Sequence, residues 1–414
     1  MSSGKARQAE DLMADKAPEQ KAPGGVPQRM VFNRVEFSGA LGDLGTLLPL
    51  GIAMIVLNGL HANSVMVMIG LVYIVAGSYF RVPISVEPMK VIGAISIAMG
   101  LSPAQISSAA LWMGIFTLFL GSTGLIHVIG RYTPKSTIRG VQLAGGVALM
   151  IKAVEFMIRK DPNLAVPTIG GIGVGLLLGI AGVLVTFLLL DNKKVPAAVF
   201  IVGGGMLVGL LLGKPFRVED LTPGLYLPQL FPYGAPSWED FLFVIPVLVI
   251  PQIPMTIGNA IFSSSDMLKN YYGERSSRCT YGALANSQGL ADIVSFFFGG
   301  LPMCHGASGI ACHYVFGART NGSNLMIGLI FIALGVFFGQ NALTILNLLP
   351  RSILGVLLLF AGAQLALMIG DLKEKKDLFV AVSMLVISLA LNLGVAFICG
   401  ILLAYALKSD KMKI

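Results

Sequence analysis

Apolar runs separated by short polar stretches fill the chain from residue 36 to residue 407. A helix that crosses the hydrocarbon core of a bilayer needs about 20 mostly apolar residues. The runs that reach this length, or nearly so, are 36–58, 64–80, 103–129, 138–158, 168–190, 195–213, 239–265, 280–298, 322–342, 350–370, 377–391 and 392–407. Two further stretches, 88–100 and 303–316, are apolar but too short to cross alone, and each follows an extended segment that contains proline. The pattern predicts an all-α polytopic membrane protein with fourteen spans, of which the third and tenth are half-helices.

Composition supports a membrane protein and excludes several soluble classes. Hydrophobic residues make up 55% of the 414 residues and charged residues only 12%, whereas soluble domains carry about 25% charged residues. Glycine occurs 50 times, and small residues let membrane helices approach closely. No basic face interleaved with polar and aromatic residues is present, so the expected partner is the lipid bilayer and not a nucleic acid. No nucleophile–base pair indicates an enzyme.

The placement of positive charge predicts the orientation of the spans. If the N-terminus lies inside and fourteen spans alternate, most of the 29 lysines and arginines fall in inside segments, including Lys135, Lys193, Arg275 and Lys375. Those that fall outside are Arg159, Lys160, Lys214, Arg217 and Arg351. The positive-inside rule therefore predicts cytoplasmic termini and insertion in the cell membrane. Residues 1–34 and 408–414 are expected to be cytoplasmic tails, the former disordered, and 214–238 an external linker.

Two short matches indicate an internal repeat of about 215 residues. Pro88-Met89-Lys90 corresponds to Pro302-Met303-Cys304, and the segment that begins at Pro134 corresponds to the one that begins at Pro350. Seven spans per repeat is an odd number, so residues 35–213 and 239–407 are predicted to form two inverted repeats. This architecture is typical of secondary transporters, whose sites form where interrupted helices meet at the midplane. The sequence leaves monomer and homodimer open.

The two half-helices suggest the charge of the ligand. A helix that starts inside the bilayer has unpaired N–H groups and a partial positive charge at its first turn. Inversion brings the starts at Pro88 and Pro302 together, which predicts an anion site that includes Pro88, Met89 and Met303. The alternative is that these prolines only punctuate ordinary helices.

Polar residues inside the first and third spans are the next candidates for the site. Asp43 lies in the first span, and a carboxylate within a membrane is costly and usually functional. Asp43 is a candidate for proton coupling or for a structural cap, and Thr46 for a hydroxyl contact to an oxyanion. Glu87 is a second coupling candidate. Lys90 either contributes positive charge to the site or pairs with Glu87.

The second half offers its own polar residues. Gln252 and Asn259 lie seven residues apart, hence on one face if the helix persists, and either bind an oxyanion or join helices. Cys304 and His305 begin the tenth element, where His305 is a candidate anion donor or proton carrier. The Cys-His pairs at 304–305 and 312–313 lack the spacing of a zinc site, so no metal and no cofactor is expected. The glycine-rich stretch 170–175 is interpreted as helix packing.

These segments resemble those of a known family. Leu41-Gly42-Asp43-Leu44-Gly45-Thr46, Glu87-Pro88-Met89-Lys90 and Leu301-Pro302-Met303-Cys304-His305-Gly306-Ala307 are similar to the signature segments of the molybdate transporter family, a distant branch of the sulfate permeases. The resemblance implies a core domain, made of spans one to four and eight to eleven, that moves against a gate domain. The family commonly has glycine where Ser308 stands.

The leading hypothesis is therefore a secondary active transporter of a tetrahedral oxyanion. Molybdate is the leading candidate for the oxyanion, and protons are the candidate coupling ion. Tungstate has nearly the same size and charge and is expected to compete. The alternatives are a sulfate or nucleobase permease of the same fold and an anion channel. A nucleobase carrier is expected to place carboxylates on the eighth and tenth spans, where this chain has Gln252, Asn259, Cys304 and His305.

Overall fold

Helices form almost all of the regular structure in the computed structural model, which describes residues 29–126, 134–161, 163–166, 168–189, 197–213, 224–339, 341–391 and 393–407. Residues 1–28, 214–223 and 408–414 of the predicted tails and linker lie outside these ranges. The first-half helices are α1 (Arg34–Ala40), α2 (Leu44–Asn58), α3 (Ala62–Phe80), α4 (Lys90–Met99), α5 (Pro103–Thr123), α6 (Lys135–Ile158), α7 (Val174–Leu189) and α8 (Ala197–Leu212). Those of the second half are α9 (Trp238–Val244), α10 (Ile250–Met255), α11 (Ser264–Tyr272), α12 (Tyr281–Phe298), α13 (Ala307–Val315), α14 (Gly322–Phe338), α15 (Ala342–Leu346), α16 (Arg351–Ala366), α17 (Lys375–Ala390) and α18 (Leu393–Leu407).

The lengths of these helices establish a multi-pass membrane protein. In the described ranges, five helical stretches are long and apolar enough to cross a bilayer, or six if α1 and α2 count as one span bent by 44°. These five are α3, α5, α6, the continuous helix 238–276, and α16 with its following turn to Asp371. Other apolar helices, among them α4, α7, α8, α14 and α18, have 10–17 residues. The count of fourteen spans therefore stays a prediction.

Two predicted spans have different ends in the structure. The run 168–190 opens with a hairpin of β2 (Thr168–Ile169) and β3 (Ile172–Gly173), and helix α7 starts only at Val174. Gly170 and Gly171 form its turn with φ values of 57° and 82°, a backbone region that glycine enters without strain. The helix-packing interpretation of these two glycines was wrong. The run 103–129 was also too long, because α5 ends at Thr123.

The eighth predicted span is one continuous but irregular helix. π-helical segments at Ile245–Val249 and Thr256–Ser263 alternate with α9, α10 and α11. Prolines 246, 251 and 254 remove backbone donors from it, and π turns are common where a helix carries a functional site. Gln252 and Asn259 would share one face only in a regular α-helix, and the π segments interrupt that regularity. Gln252 is completely buried, whereas Asn259 is half-buried.

A buried pair of short strands lies at the centre of the molecule. β1 (Glu87–Pro88) pairs antiparallel with β4 (Met303–Cys304), with Glu87 opposite Cys304 and Pro88 opposite Met303. The backbone N–H of Met89 extends the pairing by donating to the Pro302 carbonyl at 2.9 Å. Helix α4 starts directly after β1, and α13 starts soon after β4. The two extended segments and short helices that the sequence predicts are thus present and meet each other.

Among the helix pairs that join the first half to the second, three cross at glycines. Helix α3 packs on α14, α5 on α12, and α6 on α16. Each pair crosses at two facing glycines, where an added methyl group would press against the backbone of the opposite helix. The facing glycines are Gly70 and Gly328, Gly114 and Gly289, and Gly146 and Gly362. Small residues at a crossing bring membrane helices into backbone contact, so these pairs fix the two halves closely around the central strands.

Candidate anion-binding site

A cavity of about 640 Å³ lies beside the central strand pair. It is bounded by α2, α4, α13 and the second π segment on one side, and by α6, α7, α8 and α16 on the other. Most of its lining is apolar. The polar side chains that line it are those of Thr46, Lys90, Asn259, Ser308, Gln364 and Thr186 together with the Cys312 thiol. Lys90 is the cationic one among the described lining residues, so an anion in this cavity would lie beside it.

Lys90 is held by both half-helices. Its Nζ lies 2.8 Å from Glu87 Oε2 and donates to Ser308 Oγ at 2.5 Å. The Ser308 hydroxyl in turn donates to Glu87 Oε1 at 3.2 Å. The Glu87 side chain is fully buried, and the Lys90 side chain is 16% exposed. The first residue of α4 and the first turn of α13 are therefore bridged by a closed ring of three polar groups. Pairing of Lys90 with Glu87, one of the two readings of the sequence, is what the structure shows.

Asp43 forms a second polar cluster behind this ring. It lies between α1 and α2, is completely buried, and accepts hydrogen bonds from three donors. Tyr73 Oη donates to its Oδ2 at 2.5 Å, the Val86 N–H to Oδ2 at 3.1 Å, and Thr46 Oγ1 to Oδ1 at 2.7 Å. His313 Nε2 lies 3.7 Å from Oδ2. Asp43 thus ties the first span to α3 and to the segment before β1, and Thr46 connects it to the cavity.

Two glycines allow the carboxylates to pack against the start of α13. A methyl group on Gly306 would overlap the Glu87 carboxylate, and one on Gly309 would overlap both Asp43 Oδ1 and Glu87 Oε1. The partial positive charge at the start of α13 is therefore faced by side-chain carboxylates of the protein itself.

The start of α4 is likewise occupied from within the protein. Gln252 Oε1 accepts from the N–H groups of Val91 and Ile92 at 3.0 and 3.2 Å, and its Nε2 donates to Thr256 Oγ1 at 3.0 Å. These N–H groups are those that a helix leaves without an intrahelical partner. Gln252 does not line the cavity. Its amide oxygen instead caps the first turn of α4.

The remaining predicted residues divide between the cavity and the strand pair. Thr46, Lys90 and Asn259 line the cavity. Pro88, Met89, Met303, Cys304 and His305 are buried in or next to the strands and do not line it. Both ring nitrogens of His305 have partners, Nδ1 with the Ser85 carbonyl at 2.8 Å and Nε2 with Ser287 Oγ at 2.9 Å. No cluster of three or more His, Cys, Asp or Glu residues in the described ranges has the arrangement of a metal site.

Several residues of the site were not predicted. Ser308 and Tyr73 acquire their roles only through contacts with distant parts of the chain, so no local pattern indicates them. Asp292 differs, because it is a carboxylate within the apolar run 280–298, the same signal that identified Asp43. It is completely buried in α12, and its Oδ1 accepts from the Met303 N–H at 2.7 Å. It holds β4 in place.

Replacing Gln252 with alanine should lower the free energy of unfolding by about 1–3 kcal/mol, because two buried N–H groups lose their acceptor. Thermal unfolding of the purified protein in detergent measures this. Gln364→Ala serves as the control, since Gln364 is an exposed residue of the cavity rim, and we expect it to stay within about 0.5 kcal/mol of the wild type. If both variants were equally stable, the capping contact of Gln252 would not contribute to the stability of the protein.

Interrupted helices that meet at a central cavity, within a multi-pass apolar fold, define a membrane transporter. Comparison with known proteins gives the family. The model described as "Molybdate transporter of MFS superfamily" matches residues 35–149 and 245–365, and the chain belongs to this family. Molybdate transporter 2 of Arabidopsis thaliana is 30% identical over 416 residues, covering 90% of this chain and 87% of that protein. Molybdate transporter 1 of Arabidopsis thaliana is 29% identical over 405 residues, covering 89% and 87%.

Solved structures share the fold at low sequence identity. The transmembrane domain of a cyanobacterium bicarbonate transporter, BicA, matches with a TM-score of 0.62 and 16% identity, over 92% of this chain and all (100%) of that chain. Murine Solute Carrier 26 family member A9, an anion transporter in the inward-facing state, matches with a TM-score of 0.66 and 14% identity, over 98% of this chain and 76% of that chain. The resemblance to the molybdate transporter family is confirmed.

Proposed function

We propose that this protein is a secondary active transporter that carries molybdate across the cell membrane by alternating access. The observation that carries the proposal is a mostly apolar cavity whose polar lining includes Lys90, Ser308, Thr46 and Asn259. An ammonium group, two hydroxyls and an amide are donors suited to the oxygens of a tetrahedral dianion. The curated relatives named above are molybdate transporters, which favours this oxyanion over sulfate.

The inverted-repeat architecture is part of the proposal. Gly70 and Gly289, Gly114 and Gly328, and Gly146 and Gly362 are separated by about the repeat length, and each is used at a helix crossing. The α3–α14 crossing is therefore the counterpart of the α5–α12 crossing, as a two-fold relation between residues 35–213 and 239–407 requires. This supports seven spans in each repeat.

A core and a gate follow from the same division. Thr46, Lys90, Asn259 and Ser308 belong to the spans assigned to the core, whereas α6, α7, α8 and α16 belong to the gate and supply mostly apolar lining. We propose that the core carries the anion past the gate. An apolar gate surface suits this motion, because it offers the anion no second set of polar contacts.

Binding and flux measurements test the proposed function. Purified protein should bind molybdate, with tungstate competing at similar concentration, and should bind sulfate and phosphate more weakly. In proteoliposomes, uptake of molybdate should saturate, whereas a channel would give unitary currents. Tighter binding of sulfate than of molybdate would contradict the assignment of the substrate, and unitary currents would contradict the carrier mechanism.

The orientation of the protein gives a separate prediction. We expect the start of α6 to be cytoplasmic and its end to be external, with both termini inside, because of the distribution of lysine and arginine. Cysteine in the variant Lys135→Cys should react with an impermeant maleimide only from the inside, and cysteine in Arg159→Cys only from the outside. Labelling of both from one side would contradict the proposed topology.

In this orientation the cavity opens inward, near the exposed residues Leu367 and Met368.

A further inference from the structure

The Glu87 carboxylate occupies the donors that an oxyanion in the cavity would use. Lys90 Nζ and Ser308 Oγ both line the cavity, and both contact Glu87, at 2.8 Å and 3.2 Å. Glu87 itself is not part of the cavity lining and approaches these donors from behind. An anion that enters from the open side would meet a Ser308 hydroxyl whose proton is already donated to Glu87. It would also meet a Lys90 ammonium with two of its three N–H groups engaged.

The charges around Glu87 decide what happens when a dianion arrives. The titratable groups around it are Asp43 from the first span, Tyr73 of α3, Lys90 of α4, Cys304 of β4, and His305, Cys312 and His313 in or next to α13. The charges of Glu87 and Lys90 cancel in their ion pair, so the cluster has no surplus positive charge, whether or not Asp43 is ionised. Adding a doubly charged oxyanion next to it in a buried, low-dielectric setting is very unfavourable. The site therefore needs additional positive charge when it is loaded.

We propose that Glu87 takes up one proton for each molybdate bound, and that the oxyanion replaces it at Lys90 and Ser308. This inference rests on the proposed function. The proton comes from the buffered solution on the open side of the cavity, leaving the buffer base behind, and bonds to a Glu87 carboxylate oxygen. The neutral acid no longer forms an ion pair with Lys90, so the ammonium and the Ser308 hydroxyl donate to the oxyanion. The net reaction consumes one molybdate dianion and one proton, and the loaded core carries both.

The surroundings of Glu87 suit this exchange better than those of Asp43. The donors to Asp43 include Tyr73 Oη and the Val86 N–H, which connect the first span to α3 and to the strand segment. Protonation of Asp43 would disturb these structural contacts. Glu87, in contrast, contacts donors that face the cavity. Its Oε1 packs on Gly309 together with Asp43 Oδ1, so the neutral Glu87 acid has Asp43 as an acceptor for its proton.

Proton uptake during binding tests the exchange. Titration calorimetry with molybdate, in two buffers of different ionisation enthalpy, counts the protons bound. The wild type should take up about one proton per molybdate, and its affinity should rise about tenfold for each pH unit of decrease where Glu87 is ionised in the empty site. Glu87→Gln should bind molybdate without proton uptake and with an affinity that does not depend on pH in that range. Glu87→Asp keeps a carboxyl group and should retain the uptake.

Glu155→Gln is the matched control, because Glu155 pairs with Lys152 and Arg159 on α6 away from the cavity; it should behave as the wild type. Wild-type binding without proton uptake, or uptake that persists in Glu87→Gln, would overturn the exchange while leaving molybdate transport intact. Absence of molybdate binding in the wild type would overturn the proposed function and this inference with it. If Glu87→Gln fails to fold, the wild-type proton count and Glu87→Asp still decide the question.

Discussion

Replacing Lys90 with methionine should weaken molybdate binding about 30- to 150-fold. Methionine retains an unbranched side chain of similar length but supplies neither the charge nor the donors at the cavity end. Two or three kcal/mol is a reasonable loss for a charged hydrogen bond in a partly buried site, and each 1.4 kcal/mol corresponds to a factor of about ten. Equilibrium binding to the purified variant measures the effect.

The same substitution leaves Glu87 buried without its partner, and breaking a buried ion pair in this way costs about 3–5 kcal/mol of stability. The double variant Lys90→Met/Glu87→Gln separates the two effects, because it removes the unpaired carboxylate as well. It should regain stability without regaining affinity. Lys152→Met, on α6 outside the cavity, is the control and should bind normally. A folded Lys90→Met protein with an affinity within threefold of the wild type would show that Lys90 does not contact the anion.

Changing Asp43 to asparagine should destabilise the protein by about 2–4 kcal/mol. The three donors at Asp43 point at two carboxylate oxygens, and an asparagine has only one oxygen. Its NH₂ group would face the Thr46 hydroxyl, which can donate instead to the Asp43 carbonyl at 2.9 Å. The bonds from Tyr73 and Val86 would no longer go to a carboxylate. Thermal unfolding in detergent gives the magnitude.

Tyr73→Phe provides a graded comparison, since it removes one of the three donors and keeps the ring packed. We expect it to cost about 1.5–3 kcal/mol, less than Asp43→Asn. If Asp43→Asn were as stable as the wild type, the cluster would not be what holds the first span to α3 and to the strand segment.

Local patterns in the sequence predict the parts of the site that are local. The prolines before each short helix, the apolar runs and the position of Asp43 within a span all follow from spacing and composition. The pairing of Glu87 with Lys90 was one of two readings because these residues lie three apart at a helix start. Ser308 stands where the family commonly has glycine, and nothing in its local sequence predicts a contact with Glu87 or Lys90. In the structure its hydroxyl completes the ring with both charged residues.

Contacts between distant segments are what the sequence could not predict. Within its own helix, Gln252 has Thr256 as the partner of its NH₂ group. Its amide oxygen meets the Val91 and Ile92 N–H groups only through the fold. The π segments have the same origin, because nothing in the apolar period of 239–265 indicates where an extra residue enters a helical turn. Asp292 could have been predicted from the sequence, because it is a carboxylate within an apolar run, as Asp43 is.

The central strand pair has a consequence for biosynthesis. Strand β1 pairs with β4, so its backbone hydrogen bonds cannot form until Met303 and Cys304 have been synthesised. Until then the segment before α4 has backbone groups that cannot be left unpaired in lipid. Nascent chains that stop before α12 should therefore remain associated with the insertion machinery or be degraded. The ribosome therefore has to synthesise the second half at least as far as Cys304 before the first half can leave the translocon as a finished structure.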